Sequence, residues 1–204
     1  MKDNTFTVGN VEIELEEEFG DGDGVEALIP ATGSPQDGTL QNAVVKKVFV
    51  KNTGSEDAYV RVHIAIPALL DGEDAGFTGN MLHFLYSDGS FGDGKWDWTD
   101  AAGAPYEGAD WNRYTATIGG NSYHVYVVTY GSAMKTGETT VDAIHQVYLD
   151  PAATNEDIDR VKKTLGDQWH IYVVAEGAQI EGFQDAYEAL NTAFGVPGSY
   201  TVDW

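Results

Sequence analysis

Polar and apolar residues alternate along most of this chain, and the phase of that alternation predicts strands. Residues 4–15 read Asn-Thr-Phe-Thr-Val-Gly-Asn-Val-Glu-Ile-Glu-Leu, with Phe6 and Val8 on one phase and Val11, Ile13 and Leu15 on the other. A period of two marks a strand with one buried face. The phase slips at Gly9-Asn10, where a bulge or bend would pass the strand from one partner to another. Strands are next predicted over residues 44–50 and 58–66, joined across residues 51–57, whose Asn-Thr-Gly reads as a hairpin turn. In the second of them Val60, Val62, Ile64 and Ile66 point one way, Tyr59, Arg61, His63 and Ala65 the other, and Pro67 ends the run. Residues 123–130, 139–149 and 168–178 continue the series.

Two stretches carry helical spacing instead. Thr154 precedes Asn155, Glu156 and Asp157 as a hydroxyl cap with acids in the first turn, then Ile158, Val161 and Leu165 share a face before Gly166. Over residues 183–194, Phe183, Tyr187, Leu190 and Phe194 recur at helical spacing, and Gly195 and Pro197 stop them. Strands without βαβ alternation and with Gly-rich turns predict an all-β fold: an antiparallel β-sandwich with two short capping helices.

Two further stretches join the opening one in a family resemblance. Asn52-Thr53-Gly54-Ser55-Glu56-Asp57-Ala58-Tyr59-Val60-Arg61-Val62 is a turn entering a strand, and Val173-Val174-Ala175-Glu176-Gly177-Ala178-Gln179-Ile180-Glu181-Gly182-Phe183 lies near the end. With the run from Asn4 to Glu18 they resemble the TasA and camelysin family of secreted Gram-positive surface and biofilm-matrix proteins, which has archaeal relatives. The match in order and spacing covers roughly residues 4–190. It implies a jelly roll, and it leaves residues 70–115 without a counterpart, as an insertion within one domain of residues 1–204. Family members are made with a signal peptide that ends shortly before this opening strand, so the resemblance implies a mature, secreted protein of the cell surface or biofilm matrix. No apolar targeting segment follows Met1-Lys2-Asp3, and no apolar run of 18 residues occurs.

The opening strand has no preceding hairpin to pair with. It can complete its own sheet or that of a second molecule. Together with the resemblance, this predicts a structural subunit of an extracellular filament that polymerises head to tail. In that scheme Thr5, Phe6, Thr7, Val8, Val11 and Ile13 are the polymerisation residues, with Phe6, Val8 and Val11 filling apolar sites on the acceptor. A head-to-tail contact does not close on itself and gives a fibre. The partner is the chain itself, with other matrix components as further candidates.

Composition narrows the alternatives. With 33 acidic and 11 basic residues the net charge is −22, which argues against nucleic acid or an anionic membrane as partner. Glu12, Glu14, Glu16, Glu17 and Glu18 concentrate that charge just after the proposed donor segment. There is no cysteine, hence no disulfide framework and no thiol site. No cofactor is specified, although Asp21 and Asp23 in Phe19-Gly20-Asp21-Gly22-Asp23-Gly24 offer hard oxygen ligands of the kind calcium takes, without the spacing of an EF-hand. Asp71-Gly72-Glu73-Asp74 is a weaker case.

Two other function classes stay open. Trp96 and Trp98 share one face of an extended segment among acidic residues, a pattern that can stack on sugars or anchor an interface, or pack a loop onto the sandwich. They would serve an adhesive or carbohydrate-binding module. Camelysin is described as a metalloprotease, so the resemblance also implies protease activity. His63, His83, His124, His145 and His170 are nevertheless scattered, with no His-Glu-x-x-His and no i, i+4 pair. Three of them, His63, His124 and His170, fall in predicted strands, as hydrogen-bonded core histidines do.

Overall fold

The structure, a computed structural model, describes residues 11–20, 28–72, 77, 79–85, 95–107 and 114–204. Its strands are β1 (Ile13–Phe19), β2 (Val44–Asn52), β3 (Ala58–Pro67), β4 (Leu82–Leu85), β5 (Trp96–Trp98), β6 (Tyr114–Ile118), β7 (Asn121–Tyr130), β8 (Ile144–Leu149) and β9 (Tyr172–Gln179). The helices are α1 (Asn155–Leu165) and α2 (Ala186–Phe194). One sheet has the order β1-β2-β8-β4; the other runs β5-β7-β3-β9, with β6 also on β7. Pairings between these strands are antiparallel. The chain changes sheet after β2, β3, β4, β7 and β8, so it winds around the core as an all-β sandwich with two short helices.

The alternation read from β3 is realised. Val60, Val62, Ile64 and Ile66 join Val48, Val50, Val128, Ile144 and Leu149 in the core between the sheets. Fully burying each such side chain contributes about 1.5–3 kcal/mol. Helix α1 starts where its cap predicts: the Thr154 side chain accepts from Asp157 N–H while Asp157 reaches back to Thr154, a reciprocal capping box. Hydrogen bonds from Thr154 hold the Asp157 carboxyl at about 2. Helix α2 begins at Ala186 rather than at residue 183, because the Asp185 side chain accepts from Glu188 N–H and sets the start there.

Strands β2 and β3 do not form the predicted hairpin. They lie in different sheets, and the Asn-Thr-Gly link turns the chain from one sheet to the other. Each strand has an apolar face, and the two faces stack across the core instead of pairing edge to edge. Asn52 makes the corner: it is fully buried, its Nδ2 donates to the carbonyls of Glu56 and Met134 at 2.9 and 3.1 Å, and its Oδ1 accepts from Gly54 N–H at 3.0 Å. Strands β8 and β9 are shorter than predicted; β8 starts at Ile144, after a register shift against β2 between Val45 and Val48. Within residues 70–115, β4 and β5 are edge strands of the two sheets.

Replacing Asn52 with Ala removes three hydrogen bonds inside the buried corner, although Gly54 N–H keeps its bond to the Glu12 carbonyl and the Met134 carbonyl keeps its bond from Ala58 N–H. Stability should fall by about 2–3 kcal/mol, read as a lower urea midpoint with an unchanged m-value.

Candidate functional site

Strand β1 belongs to its own domain. It pairs with β2 along its whole length, from Ile13 opposite Asn52 to Phe19 opposite Lys46. Just before it, the Glu12 carbonyl accepts from Thr53 N–H and Gly54 N–H, both at 2.9 Å, which roots the chain at the β2–β3 corner. Ile13 packs inward onto the core and against β9: a Cβ added at Gly177 would lie 3.0 Å from Ile13 Cγ2. Gly177 therefore lets the two sheets close on this flank. Of the proposed polymerisation residues, Ile13 thus serves the intramolecular sheet and Val11 is half-buried beside it, while Thr5, Phe6, Thr7 and Val8 lie outside the described residues. Asp21 and Asp23 also lie outside them.

The acidic run is matched in part by cations. Glu14 stands opposite Lys51, Glu18 accepts from Lys47 Nζ at 2.8 Å, and Glu17 pairs with Lys46. The bond to Glu18 raises the Lys47 pKa above its ordinary value. Three of the chain's 11 basic residues stand on β2, so the carboxylates of β1 are partly neutralised before any neighbour approaches.

The two sheets gape at the opposite end of the same flank. A half-open apolar groove of about 250 Å³ lies between them, lined by Phe19, Leu70, Leu82, Val147, Trp169 and Ile171, with Lys46, itself buried, in its wall. Phe19 ends β1, Pro67 ends β3 and Ile171 precedes β9, so the groove sits at the far end of β1 from Glu12. The seven residues of β1 separate the two ends by about 20 Å. Beside the groove, β9 pairs only with β3 among the described residues, and its Val173, Val174 and Ala175 are half-buried. Alternation in β1 and β3 predicts these strands but not the gap between their ends, which arises from residues far apart in the chain.

Trp96 and Trp98 are not an exposed sugar platform. Trp96 is 3% exposed, stacks edge-on to Tyr130, and donates from Nε1 to the Val141 carbonyl at 2.9 Å. Trp98 packs at 5.6 Å from the Tyr126 ring and 6.3 Å from Phe84. The alternation put them on one face correctly, and that face is the core.

Four histidines contact a carboxylate: His63 with Glu176, His83 with Asp150, His124 with Asp71 and His145 with Asp142. His170 lies just before β9, not within it, and is exposed. Among the described residues no group of three His, Asp or Glu side chains could hold a metal ion. The densest polar cluster, Arg61, His63, Glu176 and Tyr200, is buried on the outer face of β3. Charged residues inside an otherwise apolar strand were its one visible signal. No protein-family model matches the chain, and no curated protein is significantly similar to it.

A branched side chain at position 177 would meet Ile13 and prise β1 from β9. Gly177→Val should lower the thermal midpoint and raise amide exchange in β1 before the core of β3 and β7, measured by hydrogen exchange.

Proposed function

We propose that this protein is a structural subunit of an extracellular surface or biofilm-matrix filament, of the TasA and camelysin kind, which polymerises head to tail. Residues 1–10 of one subunit are the donor, and the apolar groove beside β9 of the next is the acceptor. The observation that carries the reading is placement. Glu12 is rooted at one end of the sandwich, and the groove lies at the other. A donor leaving one end and an acceptor at the opposite end make a contact that repeats without closing.

Two further features support it. Residues 4–10 carry no charge in a chain of net −22, so they can enter a second acidic body without adding repulsion. Phe6 and Val8 are the apolar pair of that segment, and the groove offers aliphatic and aromatic walls. Strand addition of this type takes its continuity from backbone hydrogen bonds and its register from alternate side chains in pockets. Ile13, fixed in its own sheet, marks where the donor ends.

The test uses two variants that each lack one half of the contact. A chain without residues 1–10 can accept but not donate, and Ile171→Asp, which puts a carboxylate in the groove, can donate but not accept. Each alone should remain a folded monomer by circular dichroism. Mixed, they should give dimers and nothing longer by light scattering and electron microscopy. Fibres formed by either variant alone would sink the reading.

Salt should modulate the same reaction. Subunits of −22 repel as they approach, and the screening length shortens to about 8–10 Å at physiological ionic strength. Elongation followed by light scattering should quicken as sodium chloride rises from low concentration; a rate indifferent to salt would remove repulsion as the barrier.

A further inference from the structure

The outward face of β3 presents Tyr59, Arg61, His63 and Ala65 to a strap made of α2 and the residues that follow it. The apolar seat beneath α2 is small: Ala178, Ala186, Ala189 and Leu190, with Tyr59 and Phe183 at its margin. The Tyr187 hydroxyl of the same helix is buried with no hydrogen-bond partner, which weakens the helix's attachment further. Farther along, Trp204 packs beside Ala65, Tyr123 and Val125, and between these two apolar contacts the strap is held by bonds to Arg61 and Glu176. Arg61, 1% exposed, donates from Nε to Glu176 Oε2 at 2.5 Å, from Nη1 to Asn191 Oδ1 at 3.0 Å, and from Nη2 to the Gly195 carbonyl at 3.0 Å and Tyr200 Oη at 2.8 Å. Tyr200 Oη donates on to Glu176 at 2.7 Å. Three of these partners, Asn191, Gly195 and Tyr200, belong to the strap.

His63 completes the cluster. It is fully buried, with Nε2 3.1 Å from Glu176 Oε2 and Nδ1 2.9 Å from the Tyr114 hydroxyl. A neutral ring with its proton on Nε2 donates to Glu176 and accepts from Tyr114, which satisfies both nitrogens. We propose that this cluster is an acid-released clasp: uptake of protons by Glu176 and His63 frees residues 185–204 from the sheet while the sandwich stays folded.

The sign follows from the surroundings. The groups facing the clasp are Arg61 from β3, Glu176 from β9, Tyr114 from β6 and Tyr200 from the strap. Burial lowers the pKa of His63, and Arg61 adds to that, against the pull of Glu176. Burial raises that of Glu176, but His63, Tyr200 and Arg61 outweigh it and hold the carboxyl well below its usual range. On opening, His63 regains water and binds a proton more readily, and Glu176 loses the Tyr200 hydroxyl that helped hold its carboxyl low, while Arg61 and His63 stay beside it on the sheet. Closure is favoured fully above the ordinary His value of 6.5 and weakens as pH falls below it, and it weakens further where Glu176, without the Tyr200 hydroxyl, takes up a proton. Each proton taken up changes the opening equilibrium by about tenfold per pH unit. Around α2 itself, Asp97, Asp100 and Asp185 lie near Tyr187, and Asp185 caps the helix while Glu188 accepts from Gln184 N–H. These carboxylates lie outside the clasp, and a substitution at Asp185 separates the helix cap from it.

Hydrogen exchange of the full chain from pH 7 to pH 4, corrected for intrinsic rates, tests this. Opening of α2 amides should rise as pH falls, steepening below the ordinary Glu range, while β7 amides stay protected. Glu176→Gln should leave α2 open already at pH 7 and flatten the acid limb. Should that variant not fold, Tyr200→Phe removes only the hydroxyl and should raise α2 opening severalfold at pH 7 with the slope kept. Asp185→Asn keeps a competent cap that cannot titrate, and its profile should match the unaltered chain. Loss of protection in α2 and β7 together, a flat α2 profile, or a pH dependence abolished by Asp185→Asn would each overturn the clasp.

Discussion

Strand β3 is covered on both faces, and the two coverings differ in chemistry. Inward, four β-branched residues meet the opposite sheet, a contact that any well-filled apolar surface can make. Outward, Arg61 and His63 lie at 1% and 0% exposure, where an unpaired charge would be strongly destabilising. The strand can hold its central place between β7 and β9 only if Glu176 comes to it from β9 and the strap closes over both. Registration of β9 on β3 therefore has two determinants: backbone pairing, and the position of one carboxylate opposite one guanidinium, since Arg61 and Glu176 are register partners.

That fixed register has consequences along the flank. With Glu176 held on Arg61, the next residue, Gly177, falls where Ile13 approaches from the other sheet. The sheets close at that point, and toward Ile171 and Phe19 a groove opens between them. Closure at one end and a groove at the other are two outcomes of one strand's placement. A filament contact of the proposed kind would use this asymmetry directly, since it needs a sealed end from which a donor leaves and an unsealed end that receives it.

Much of this was legible in the sequence, and what was not has a common cause. The two faces of β3, the capping box at Thr154 and the end of α2 at Gly195 are local signals carried within a few residues. The link after Asn52 misled because Asn-Thr-Gly fits a hairpin and an inter-sheet corner equally; the choice rests on β1 and β8 as the partners of β2, which no local pattern contains. Trp96 and Trp98 showed the same limit: alternation places two residues on one face without saying which face is buried. Arg61 and His63 stood out in an apolar strand, but Glu176 lies 115 residues beyond Arg61, and nothing in the spacing joins them. The groove is farther still from local reading, being the gap left between the ends of several strands.

Charge then separates β1 and β9, the two edge strands of this flank. Edge strands invite unwanted pairing unless charges guard them. On β1, Glu14, Glu16 and Glu18 point outward beside the lysines of β2, and Glu17 with Lys46 places an ion pair on the inward side. An approaching apolar strand would have to desolvate that array. Strand β9 offers Val173, Val174, Ala175, Gly177 and Ala178, with its single carboxylate already committed to Arg61. The acidity of a chain of net −22 is thus absent from the β9 side of the groove, whereas β1 borders it with Phe19 beside Glu17 and Glu18. In the proposed filament an uncharged segment such as residues 4–10 would meet less resistance at β9 than at β1.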